Sequence, residues 1–413
     1  MEQSVTKEGV IRDYFWVYAL TALFIMFDSF HLQFVRTLPV LVMPFLGTII
    51  MGGYALAYPL LFERNDTNRK FVILFAVICV YQFLFCSERS AVTVLLYVLT
   101  FITGMTVIRL KDEYKIKLLQ YISISLGIIL LFSIPGWIMY LLHYPMPHHT
   151  EYDGVFYTHT FYPTFTVNGY PYESPIPRFT SVFQEPGHLA TTCVFLLFIN
   201  RFEIKKWYNV LFLASVLLSL SLAGYGLLIM ALGFHILLFS RYKKLAIIVL
   251  VLLLAVVTFL SFKINDGDNV LYERIISRLE YSEDGGIAGN NRYSSTFDSK
   301  YKKFVKSEDI YFGVGDLPQN KKWWTNSAGW KRAVVTNGII GLILICMFYY
   351  LNARKFRNPA CMVFFLLWLV SNSIRDHVLK EYWLYMYLCA MPLLASYKPI
   401  KKEKNLIEDN SEK

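Results

Sequence analysis

Apolar runs of roughly 16 to 25 residues recur along this chain, each long enough to cross a hydrocarbon core about 30 Å thick. Twelve such blocks can be marked, at about 14–31, 39–62, 71–86, 91–108, 118–142, 186–200, 207–222, 225–240, 245–262, 333–351, 359–374 and 382–397. In lipid, every backbone N–H and C=O must find its partner inside the protein, so a bundle of helices is the expected solution. Composition agrees: 55% of residues are hydrophobic and only 17% are charged, too few for a soluble domain of this size. The expected fold is an all-α polytopic membrane protein of about twelve transmembrane helices. The "LAGYG" break at 222–226 leaves room for the seventh and eighth blocks to form one bent unit.

The net charge of +10 reads as topology before it reads as a partner, and nucleic acid is not expected. With the N-terminus inside, the inner segments carry "ERNDTNRK", "RLKDEYKIK", "RFEIKK", "RYKK", "NARKFRN" and "KPIKKEKN", whereas the short outer connections carry few Lys or Arg. Both termini are therefore expected in the cytoplasm. The block at 14–31 keeps Asp28 and lacks a small-residue cleavage pattern, so it is expected as a retained span. The chain then divides into spans one to five (1–142), an outer loop (143–187), spans six to nine (188–262), a large outer loop (263–332), spans ten to twelve (333–397) and a cytoplasmic tail (398–413). All six cysteines lie in apolar blocks without a CxxC, so no disulfide framework is indicated. His143, His148, His149 and His159 lack the Cys or carboxylate pattern of a metal site, and neither metal nor cofactor is expected.

Chemistry concentrates where the first outer loop enters the sixth block, in "RFTSVFQEPGHLATTCVFLLF" at 178–198. Pro186 suits the first turn of a helix, where its missing N–H is no loss. The helix is expected to begin near Glu185, with its N-terminus forming an anion site and Arg178 close by. Glu185 beside a bound anion needs a task of its own, and accepting a proton is one; His188, one turn in, is the other candidate base. Taken singly, these are also what a helix terminus, a headgroup anchor and an interfacial polar residue look like. The second loop adds two amphipathic patterns. "VLYERIISRLEYSED" carries Arg274 and Arg278 one turn apart, and "RYSSTFDSKYKKFVK" aligns Tyr293, Phe297, Tyr301 and Phe304 on one stripe. "SIRDHVLKEYW" supplies Arg375, Asp376 and His377, which either complete a cationic pocket or form a local ion pair.

Three segments together resemble the O-antigen polymerase and ligase superfamily of bacterial membrane enzymes. They are "RFTSVFQEP", "NNRYSSTFDSKYKKFVKSEDIYFGVGD" with its Arg, aromatics and GxG, and "TNSAGWKRAVVTNGIIGLILI" with its polar step before GxxGL. Their order and placement match the family over most of the chain. The resemblance implies that Arg178 and Arg292 are the outer-loop arginines holding a pyrophosphate or sugar donor. Arg375, Arg278 and Asn326 are weaker members of the same set. Ligase members usually carry His-Asn where this chain has Thr325-Asn326, which favours the polymerase branch.

The resemblance implies a glycosyltransferase of the bacterial cytoplasmic membrane. It would join polyprenyl-pyrophosphate-linked oligosaccharides at the outer leaflet for capsule, exopolysaccharide or O-antigen. Membrane lipid, a chain-length regulator and a flippase are the expected partners. A ligase acting on another acceptor is the nearest alternative. From another class the alternative is a lipid-linked-glycan flippase or transporter, against which stand the dissimilar halves and the crowding of charge at the outer surface.

Overall fold

The computed structural model describes residues 42–57, 61–63, 65–86, 91–152, 158–169, 176–244, 295–315, 329–375 and 381–397, with short pieces between 248 and 287. Its helices are α1 (Val42–Ala57), α2 (Asp66–Tyr81, running into a π turn at Gln82–Cys86), α3 (Ala91–Arg109), α4 (Asp112–Leu141), α5 (Pro186–Ile199), α6 (Trp207–Leu218), α7 (Leu222–Phe239), α8 (Ser295–Phe304), α9 (Asp309–Phe312), α10 (Trp330–Lys355), α11 (Pro359–Ile374) and α12 (Glu381–Ser396). The apolar blocks from 39–62 to 225–240 and from 333–351 onward each coincide with a helix. The block at 14–31 lies outside the described residues, as does most of 245–262.

Local chemistry explains several boundaries. Asn65 starts α2 by accepting the amide of Asn68, Ser221 starts α7 by accepting that of Gly224, and Asn358 starts α11 by accepting that of Ala360. His143, Arg201, Leu220 and Arg357 end α4, α5, α6 and α10 in the left-handed region, with φ between +46° and +58°. Leu220 settles the "LAGYG" question: the chain reverses there, and α6 and α7 are two helices.

Among the described residues, Asp66–Phe85, Asp112–Leu141, Leu222–Phe239 and Trp330–Lys355 are long and apolar enough to cross a membrane. Shorter apolar helices, including Pro186–Ile199 and Trp383–Ser396, lie among them. The molecule is therefore mainly helical and membrane-embedded. Its burial pattern says the same. The central helix α5, packed by α6, α7, α11 and α12, is buried on every face from Leu189 to Ile199. By contrast α2, α4, α6 and α10 leave Ile73, Val77, Phe132, Val210 and Ile343 exposed, as suits helices bordered by lipid.

One amendment to the all-helical expectation comes from the segment between α4 and α5. Strands β1 (His149–Tyr152), β2 (Thr158–Phe161) and β3 (Thr166–Gly169) pair as an antiparallel meander, with Thr160 opposite both Thr150 and Val167. Threonines and aromatics suit a pleated, half-buried surface, and the "YPTF" step between β2 and β3 supplies the turn. A two-residue ladder, β4 (Tyr281–Ser282) with β5 (Gly286–Ile287), lies in the second loop. In that loop α8 lays Phe297 and Phe304 against Val335 of α10, with Tyr301 beside them; Tyr293 lies outside the described residues.

Helix α10 is interrupted at Gly338, where φ is +65° and ψ 174°. The break frees carbonyls that the chain around Gly313 then serves: Val314 N donates to Val335 O at 2.8 Å and Gly315 N to Thr336 O at 3.2 Å. Tyr81 of α2 donates to Asn337 O at 2.8 Å and to Phe312 O at 3.1 Å. A Cβ on Gly313 would stand 2.6 Å from the amide nitrogen of Gly338, so both backbones need glycine to meet. The GxG of "IYFGVGD" and the Gly of "TNGIIGL" thus form one backbone-to-backbone joint.

Candidate functional site

Helix α5 begins where the sequence places it. Glu185 is the N-cap in an extended conformation, Pro186 is the first helical residue, and the amides of His188 and Leu189 return to Glu185 O at 3.0 and 3.3 Å. The Glu185 side chain makes no cap hydrogen bond; its carboxylate accepts from Nη1 of Arg375. Arg375 closes α11, its amide donating to Ser371 O at 2.9 Å. Each charge sits at the helix end whose dipole favours it, an anion at the start of α5 and a cation at the end of α11. Gly187 makes the pairing possible. A Cβ there would stand 2.5 Å from Cζ and 2.8 Å from Nε of Arg375, so the guanidinium lies flat on the glycine.

Exposure decides what the pair can do. The Arg375 side chain is 16% exposed and that of Glu185 41%, so the guanidinium is sheltered while the carboxylate meets the outside. Such a pair falls between a surface bridge, worth about 0–1 kcal/mol, and a buried one, whose disruption costs roughly 3–5 kcal/mol.

No family model and no curated protein matches the chain.

Arg178, the first of the other expected residues, lies half-buried at the end of α6. Its Nε donates to Ser219 O at 3.3 Å, and the amide of Phe179 donates to Leu218 O at 3.1 Å. A cation on the last carbonyls of a helix is favourable, so Arg178 has a capping role whatever else it does. Half-buried His188 lies in the first turn of α5, with the Thr192 hydroxyl on its carbonyl at 2.8 Å. Gly224 at the start of α7 approaches Ala190 so closely that a Cβ would stand 2.5 Å from the alanine Cβ. The α6–α7 turn, Arg178 and the start of α5 therefore share one end of the bundle. Arg278, Arg292 and Asn326, with Asp376 and His377, lie outside the described residues.

Residues to which the sequence assigns no part in this site, His159 among them, hold this end in place. Thr180 Oγ1 donates to Thr166 O at 2.5 Å, and Thr166 N to Ser181 O at 2.8 Å, fixing β3 against the approach to Glu185. Ser181 donates to Ser133 and Ser133 to Thr164 O, tying both to α4. Asn168 links buried His159, 2.8 Å from its Oδ1, to Gln184 O, 2.6 Å from its Nδ2, next to the cap. Tyr162 stacks on Phe165 and beside Tyr140; burial first, then Tyr140, hold its phenol above the usual range, so it stays neutral.

Beneath the ion pair, α11 carries Trp368 Nε1 and Asn372 Oδ1 at i and i+4, and Arg375 Nε follows at its C-cap. All three atoms are buried without a hydrogen-bond partner. Groups of this kind normally engage ordered water or a ligand. No group of three His, Cys, Asp or Glu side chains among the described residues is arranged to hold a metal ion. This end offers a sheltered guanidinium with an unused N–H, an accessible carboxylate and a helix N-terminus.

Proposed function

We propose that the chain is a polysaccharide repeat-unit polymerase with twelve spans, cytoplasmic termini and its site at the outer leaflet. The observation that carries this reading is the meeting of Arg375 and Glu185 at the start of α5, across 190 residues of sequence. A polyprenyl-pyrophosphate-linked oligosaccharide brings a diphosphate to the helix N-terminus, where Arg375 exchanges part of its pairing with Glu185 for the diphosphate oxygens. Arg178, Arg292 and Arg278 extend the cationic rim, and Asn326 belongs to the same loop. A hydroxyl of a second lipid-linked unit attacks the anomeric carbon, and the bond from that carbon to the diphosphate oxygen breaks with its electron pair. The hydroxyl proton passes to the Glu185 carboxylate, or to His188, and polyprenyl pyrophosphate leaves. Charge grows on the leaving group in the transition state, so a fixed guanidinium stabilises that state more than the ground state. No nucleotide or metal takes part, and a flippase and a chain-length regulator are the partners such an enzyme would have.

A second reading has its own support. The break in α10 beside the π turn of α2 is the kind of interrupted helix on which transporters build substrate sites. Its freed carbonyls are already occupied by Tyr81, Val314 and Gly315, which describes a joint better than a vacant site.

Purified full chain, given a polyprenyl-pyrophosphate-linked repeat unit with EDTA present, tests both. A glycan ladder is expected. A single shift requiring another acceptor lipid would indicate a ligase, and absence of any covalent product from a cognate substrate would favour the flippase.

A further inference from the structure

The opposite end of α5 carries a second arginine in very different company. Arg201 follows the C-cap Asn200 with φ +58°, a conformation that most side chains avoid. Its guanidinium carbon stands 5.1 Å from the ring centre of Phe239 and 5.1 Å from that of Tyr397, between α7 and the end of α12. Tyr397 is itself fixed by its hydroxyl on Ile199 O at 2.9 Å. His235, one turn back on α7, lies between Phe202 and Phe239, 5.3 Å from each ring centre, and within electrostatic range of Arg201. Nε of Arg201 and Nδ1 of His235 are both buried and without a hydrogen-bond partner.

A guanidinium held between two aromatic faces is well oriented but poorly satisfied, because ring faces do not replace a hydrogen-bond acceptor. A second buried nitrogen nearby points to an acceptor with several oxygens. Among the described residues, Glu203 is the one carboxylate that acts on His235, and it is engaged by Lys206 at 3.2 Å. Lys205, Arg241, Lys243 and Lys244 follow the same helix ends, so the local field is strongly positive. Ile204, Trp207 and Leu237 are exposed apolar side chains in the same turns. Positive charge bordered by exposed apolar surface fits an amphiphile rather than a small soluble anion.

We infer that Arg201 and His235 form a binding site for the phosphodiester of an anionic phospholipid, with Phe239 and Tyr397 holding the guanidinium in place. The phosphate takes Nε–H of Arg201 and the Nδ1–H tautomer of His235, while the acyl chains lie on the neighbouring apolar surface. This site does not depend on the reaction at the other end of α5.

The test uses the full chain in neutral detergent, with phosphatidylglycerol or phosphatidylcholine added and bound lipid counted by native mass spectrometry. Both lipids carry the phosphodiester, but the choline cation is repelled by Arg201 and the neighbouring lysines, so wild-type protein is expected to retain phosphatidylglycerol about tenfold more strongly. Arg201→Gln is expected to lose that preference. His235→Phe keeps an aromatic ring in the stack and is expected to reduce the preference severalfold even if the arginine variant is poorly recovered. Equal retention of phosphatidylglycerol by wild type and His235→Phe overturns the site. So does inorganic phosphate displacing the lipid at equal concentration, which would make the ligand a soluble anion.

Discussion

The two ends of α5 hold an arginine each, and the difference between them lies in what the arginine faces. At the start of the helix, Arg375 lies on Gly187 and pairs with a carboxylate that is 41% exposed. At the far end, Arg201 faces two aromatic rings and, among the described residues, has no ion pair. The first arrangement sets a guanidinium, an accessible carboxylate and a helix N-terminus within one contact, a combination suited to binding an anion beside a proton acceptor. At the second, His235 is packed against the aromatic rings and the nearby carboxylate, Glu203, is engaged by Lys206. On the proposed function, the accessible carboxylate beside the cation is what separates the two ends.

That contrast can be broken by substitutions at each end. Glu185→Gln keeps the shape and removes the base. Polymer formation is expected to fall about 10²- to 10⁴-fold on a glycan gel, with the protein still in the membrane. An unchanged ladder would move the proton to His188. Gly187→Leu fills the seat of the guanidinium, and displacement on the order of 1 Å is expected to cost about 10²-fold in rate. Arg375→Lys keeps the charge but loses the planar fork, and should raise the half-saturating donor concentration about tenfold. The smallest effect belongs to the far end. Arg201→Gly relieves a left-handed non-glycine residue while removing two cation–π contacts, so thermal stability should shift by no more than about 1 kcal/mol. Polymerisation should change less than about twofold, since the reacting groups lie elsewhere. A large loss of polymer in Arg201→Gly would erase the distinction between the two ends.

The helices were largely legible because lipid imposes one requirement on long apolar runs, and Pro186 placed the start of α5 near Glu185, which is its N-cap. The stripe of Phe297, Tyr301 and Phe304 was legible for a different reason, since period 3.6 declares a face. The meander was missed because its strands are four residues long and polar enough to pass for loop. The alternation in "THTF" and "TVNG" around "YPTF" was the available signal. Pairing of Arg375 with Glu185 specifically could not be read, because tertiary packing brings together residues that sequence spacing leaves unrelated. Nothing in the sequence around Gly187 shows that a guanidinium from another helix lies over it. The break at Gly338 was hinted at by Asn337-Gly338 within an apolar run. What it joins, the turn around Gly313, belongs to another part of the chain.

The most direct test of Glu185 and Arg375 as one unit is a cycle of single-turnover polymerisation rates for wild type, Glu185→Gln, Arg375→Ala and the double variant. Residues that act together lose most of their effect with the first substitution. The expected result is a double variant within about threefold of the slower single variant. Losses that multiply independently would contradict the account, and would leave the ion pair as a structural bridge beside a site located elsewhere.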